Sequence, residues 1–109
     1  MANTFKNAHL AAVGTTYTSA YTASSVTTVI LGMSLCNVTT GTIAASVQMR
    51  DGGSNSNARR MLLDVEIPAG STLEVLSGQK YILENTDDIQ VKSNTAASLD
   101  VVMGVMEIS

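Results

Sequence analysis

The chain has 109 residues and one cysteine, a net charge of −3, and is 45% hydrophobic but only 14% charged. That length fits one domain, and the apolar fraction excludes a disordered chain. A lone cysteine excludes an intrachain disulfide, and an acidic balance without a basic run argues against nucleic acid as the main partner. Soluble domains average about 25% charged residues, so much of this surface is left to Thr, Ser, Ala and Asn. Such a surface dissolves poorly by itself, which points to cover by other subunits. One Phe, three Tyr and no Trp leave little material for an aromatic platform that would stack sugars or bases.

Residues 1–25, including "GTTYTSAYTASS", alternate weakly and read as an N-terminal arm and a first edge strand. Residues 26–109 read as the β-sandwich core of the same single domain. The start lacks the layout of a secretory signal, so synthesis in a cytoplasm is expected. The longest apolar stretches, "VILGM" and "VVMGVM", fall far short of the roughly 20 residues that span a bilayer, so no membrane partner is expected.

From Val26 the pattern sharpens. "VTTVILGMSLCNV" places Val29, Leu31, Met33 and Leu35 on one face and Ile30, Gly32, Ser34 and Cys36 on the other. After the turn "NVTTG", Ile43, Ala45, Val47 and Met49 alternate with polar residues, as in a half-buried antiparallel strand. "DGGSNSN" is the clearest loop. Met61, Leu63, Val65 and Ile67 then point inward until Pro68, which cannot donate to a ladder, ends the strand. Short strands follow around Leu73 and Val75, Tyr81 and Leu83, and Ile89 and Val91, parted by "PAGS", "SGQ" and "NTDD". The last run, "SLDVVMGVMEIS", is apolar on both faces, as in a strand that is central in a sandwich or lies under a neighbour. No segment makes a convincing helix. Seven to nine short strands with intervening turns predict an all-β, antiparallel β-sandwich, with a jelly roll as one form.

Chemistry is scarce. The one histidine, His9, lies in the weakly patterned start and nothing places it beside Cys36, so no catalytic site is expected. Clustered Cys and His ligands for zinc are absent, and Asp87 and Asp88 do not make an EF-hand, so neither metal nor cofactor is expected. Arg59 and Arg60, beside the long loop, are candidates for pairing with an acidic neighbouring subunit. "NVT" at Asn37 matches a glycosylation acceptor but has no meaning without secretion.

The phrases "MANTFKNA", "VGTTYTSAYTA", "TTVILGMSLCN", "PAGSTLEVLSGQKYILE", "DDIQV" and "LDVVMGVMEIS" together resemble small structural proteins of tailed bacteriophages. The likeness is one of phrase and order, nearly end to end, and carries no active-site residues. It implies a virion component, either a capsid decoration or cement protein or a neck or tail ring or fibre component. It also implies virion proteins as partners, the major capsid protein or neck and tail subunits, and assembly as a homo-oligomer. A receptor- or glycan-binding module is a further alternative, and an enzyme is not expected. The expected contacts are Thr4, Phe5 and Lys6 of the arm, with Phe5 a lone large apolar residue there, and Arg59 and Arg60. An arm without strong self-pairing would add a strand to a neighbour's sheet.

Overall fold

The structure, a computed structural model, describes residues 3–76 and 78–108. Nine strands are present: β1 (Asn3–Val13), β2 (Thr18–Thr22), β3 (Thr27–Asn37), β4 (Ile43–Arg50), β5 (Ala58–Ile67), β6 (Thr72–Glu74), β7 (Tyr81–Leu83), β8 (Asp88–Ser93) and β9 (Leu99–Ile108). The helical content among the described residues is two single 3-10 turns in the long loop, Asp51–Gly53 and Asn55–Asn57.

All pairings are antiparallel. The first sheet runs β1-β9-β3, with β6 and β7 end to end along the far edge of β3, and the second runs β2-β8-β4-β5. Taken as one strand, β6 and β7 complete two four-stranded sheets wound as a jelly roll, so the expected all-β sandwich takes its jelly-roll form. Between the sheets lie Ile30, Met33 and Leu35 of β3 and Leu99, Val101, Met103 and Val105 of β9. Facing them are Ile43, Ala45 and Val47 of β4 and Ile89 and Val91 of β8. β9 is central, flanked by β1 and β3; its Val101, Met103 and Val105 face the core, while Val102 and Met106 lie on the outward face.

Bulges decide which face each side chain takes. In β3, Ile30 pairs with Val105 but Gly32 pairs with Gly104, so Leu31 is an extra residue. An extra residue reverses the alternation. Ile30 therefore points inward before the bulge and Met33 and Leu35 after it, so the face on which spacing sets Val29, Leu31, Met33 and Leu35 together is split, with Val29 and Leu31 outward. β5 carries two such shifts against β4, on either side of the Val47–Leu62 pair. They leave Leu63 exposed, although it was expected inside, and place Leu62 against the core.

The start of the chain is paired rather than free. Asn3 to Leu10 match Ile108 to Val101 without a break, so this stretch is the edge strand of the first sheet. The Thr and Ala residues that weaken its alternation still supply the backbone ladder, which needs no particular side chain. Only β1's outer edge is left to accept another strand. At the far end, Asn37 is fully buried and closes a corner. Its amide nitrogen donates to Gly41 O at 2.8 Å and Ile67 O at 2.9 Å, and its carbonyl accepts from Thr39. The carboxamide is therefore closed to glycosylation in the folded chain.

Candidate functional site

The outward face of the first sheet is the least ordinary surface of the molecule. Residues directly opposite across strands share a face, and here they form rows. Phe5 pairs with Met106, Met106 with Val29, and Val29 with Ile82, giving one apolar row across four strands. The next row is Asn7, Gly104 and Gly32, and the one beyond is His9, Val102, Ser34 and Glu74. Phe5 is 71%, Ile82 60% and Val102 53% exposed. Leu31, thrown outward by the bulge, stands with Phe5 and Asn7 around a shallow depression of about 290 Å³ over Gly104. Gly104, which lacks a side chain, leaves this depression open, and Gly32 faces it across the β3–β9 ladder.

By strand spacing, the apolar row spans about 14 Å across three inter-strand gaps and about 7 Å along the strands, roughly 100 Å², and the rows beside it bring the whole face to roughly 300 Å². Contiguous exposed apolar side chains rimmed by polar ones are a feature of interaction surfaces. The surround is polar, with Asn3, Asn7, His9, Ser34 and Glu74, so the face has the apolar centre and polar rim of a contact surface.

Of the residues expected to make contacts, Phe5 stands on this surface, at the edge-strand end of its apolar row. Thr4 and Lys6 are on the same strand but project to the other side. Lys6 Nζ pairs with Glu107 Oε1 at 3.0 Å. Glu107 also accepts from the hydroxyl of Tyr21, which lies on the second sheet and is 2.9 Å from Thr28 Oγ1 on the first. This polar bridge ties the two sheets together beside the core. The Tyr21 and Lys6 hydrogen bonds hold the Glu107 carboxyl below its usual value, while burial and that same carboxylate push the Tyr21 phenol up.

Arg59 and Arg60 lie on β5 in the second sheet, and the structure does not bring them to Phe5. They also part from each other. Arg59 is opposite Met49 beside Asp51 and Asp87, and Arg60 is opposite Gln48 on the other face.

The acids of the "NTDD" turn have structural partners. Asp87 accepts from Gly52 N at 2.9 Å and Glu84 N at 3.0 Å, which ties the long loop to that turn. Asp88 accepts from Arg50 Nε at 2.9 Å, Arg50 Nη2 at 2.7 Å and Ser19 Oγ at 2.7 Å. Burial pushes the Asp88 carboxyl up, but the hydrogen bonds from Arg50 and Ser19 and the guanidinium charge outweigh it and hold the group below its usual value. No group of three or more His, Cys, Asp or Glu that could hold a metal ion occurs among the described residues. His9 is exposed on β1 and Cys36 lies on β3, with β9 between them, so they form no pair.

No family model matches the chain, and no curated protein matches it. Among solved structures, the chain is similar to a protein of Bacillus endospore appendages, which are disulfide-linked pili. The identity is 14% over 96% of this chain and 87% of that one, with a TM-score of 0.58. It is also similar to a chain of infectious bursal disease virus, Gx strain, at 8% identity over 96% of this chain and 32% of that one, with a TM-score of 0.52. A looser likeness, with a TM-score of 0.39 and 17% identity over 96% of this chain and 59% of that one, is to a pentameric capsid protein isolated from metagenomic phage sequences. At such identities, what the first two share with this chain is the fold.

The outward row was only partly readable beforehand. Phe5 was visible as an isolated large apolar residue. Val29 and Leu31 share a face with Met33 and Leu35 by spacing alone, because the bulge is silent in the sequence, and Gly32 and Gly104 carry no signal until the ladder sets them side by side.

Proposed function

We propose that this chain is a structural virion protein of a tailed bacteriophage, most specifically a capsid decoration or cement protein that binds other virion subunits. The exposed apolar row Phe5–Met106–Val29–Ile82 carries this reading. A charge-poor surface supports it, as does a jelly-roll fold of the kind that also occurs in virus-particle proteins. The whole face, roughly 300 Å² with its polar rows, is well below the about 800 Å² per partner of a standard stable interface. Such a contact is weak singly and effective when an assembly repeats it, as a homo-oligomer seated on a particle does. Phe5 is the anchor in this reading. Thr4 and Lys6 lie at its edge, and Arg59 and Arg60 meet acidic groups of a neighbour at a separate contact.

Copy number in purified virions, measured by quantitative mass spectrometry with the density located by cryo-electron microscopy, tests the assignment. Many copies spread over the shell support decoration. About six or twelve copies on the tail axis move the protein to a neck or tail ring, as closed cyclic symmetry there requires. Absence from the virion overturns the reading.

A further inference from the structure

The outward face of the second sheet carries a cleft of about 430 Å³ floored by Gln48 and Gln90 and walled by Tyr17, Arg50 and Arg60. The two glutamines are directly opposite on β4 and β8, and Arg60 continues the row on β5. Gln48 is 5% and Gln90 9% exposed, an unusual degree of burial for side chains on the outer face of a sheet. They satisfy each other only once, Gln48 Nε2 donating to Gln90 Oε1 at 2.7 Å. One amide oxygen and the remaining N–H groups are left over, whichever way the amides are turned, and these atoms are open to the cleft rather than closed off from solvent. The Tyr17 hydroxyl, in the same wall, is shut off from solvent and makes no hydrogen bond. Arg60 forms no ion pair or hydrogen bond among the described residues, whereas Arg50 is already committed to Asp88 and Asn55.

The leftover groups are mostly donors. They comprise two amide nitrogens, a phenol and a free guanidinium against one amide oxygen. The Tyr17 hydroxyl is the one buried side-chain polar atom without a partner among the described residues, and beside it the open amide donors and the guanidinium make a cleft suited to an acceptor-rich occupant. We propose that the cleft binds an oxyanion, either free phosphate or a carboxylate presented by a neighbouring subunit, with Arg60 supplying the charge and Gln90 and Tyr17 the neutral donors. The site lies on the sheet opposite the apolar row, so it stands or falls independently of that surface.

Thermal unfolding of the whole chain, titrated with sodium phosphate at ionic strength held constant with chloride, tests this. The midpoint should rise saturably with phosphate, as for any ligand that binds only the folded state. Arg60→Gln should need about tenfold more phosphate for the same rise, the loss expected for one charge-assisted hydrogen bond. Tyr17→Phe should raise the midpoint without phosphate, because it removes an unsatisfied hydroxyl, and should shrink the phosphate-dependent gain. A short glutamate-bearing peptide run beside phosphate separates the sources. A larger gain from the peptide assigns the site to a subunit carboxylate, and a larger gain from phosphate assigns it to the free ion. Gains no greater than chloride gives, or gains unchanged in both variants, overturn the proposal.

Discussion

Phe5 stands directly opposite Met106 across the β1–β9 ladder, on the side of the sheet that faces away from the core. Phe5 therefore contributes little to the free chain's stability, and its apolar surface is available for contact. Phe5→Ser should change the unfolding free energy of the free protein by no more than about 0.5 kcal/mol, as exposed substitutions usually do. It should weaken binding to particles by at least about tenfold, because burying a Phe is worth about 1.5–3 kcal/mol. Denaturant unfolding and particle co-sedimentation measure the two effects separately. A large loss of stability with unchanged binding would place Phe5 in the fold rather than in the interface.

Arg50 and Asp88 form the best-built charge pair of the second sheet. Removing the cation leaves a buried carboxylate without its counter-charge, so Arg50→Met should cost about 3 kcal/mol. The pH dependence has a definite sign. Because the folded-state pKa of Asp88 lies below its ordinary value of 3.8, its contribution is complete above that value and is lost as pH falls through the folded pKa. In Arg50→Met, burial acts with little opposition and raises the Asp88 pKa. The variant should then gain stability as the solution is acidified from neutral towards pH ~4, where the wild type does not. Urea melts of both proteins across that range check the crossover.

Thr86 holds φ 76, in the left-handed region, at the third position of the turn closed by Asp87 N donating to Glu84 O at 2.9 Å. A β-branched residue there is strained, and glycine is not. Thr86→Gly should stabilise the chain by up to about 1 kcal/mol. A lower midpoint in differential scanning calorimetry would show that the threonine side chain holds the turn.

Asn37 saturates its carboxamide in the corner between β3 and β4, and Asn37→Ala leaves the Ile67 and Gly41 carbonyls without this donor. A loss of about 2–4 kcal/mol is expected, from unsatisfied buried acceptors and the cavity together. Chemical denaturation measures it. A cost below about 1 kcal/mol would mean that the corner relaxes freely.

The architecture was legible wherever alternation ran unbroken. Ile43, Ala45 and Val47 point inward as their spacing requires, and Pro68 follows directly on the end of β5. The errors fall at single inserted residues. Leu31 reverses β3, and the two shifts in β5 put Leu63 in solvent. A bulge changes register without changing composition, so a period-2 reading passes over it. The same limit hid the candidate surface, because the apolar row exists only through pairings between β1, β9, β3 and β7, which lie far apart in the chain. The polar cleft was hidden for another reason. Gln48 and Gln90 alternate as solvent-facing residues do, and only the packing of the side chains around them encloses them.

The central claim is that the outward face of the first sheet is a subunit contact, and Gly32 offers the cleanest test. A side chain built there meets nothing within 4 Å, and the residue follows Leu31 and is paired with Gly104, both of which line the depression. Gly32→Lys therefore adds a charge to the contact surface without disturbing the core. Binding of the purified variant to particles lacking the protein, measured by co-sedimentation beside a thermal melt, gives the answer. The account predicts an unfolding midpoint close to that of the wild type and binding reduced at least about tenfold, since a buried unpaired charge is costly at an interface. A variant that keeps its midpoint and binds particles as tightly as the wild type would contradict it.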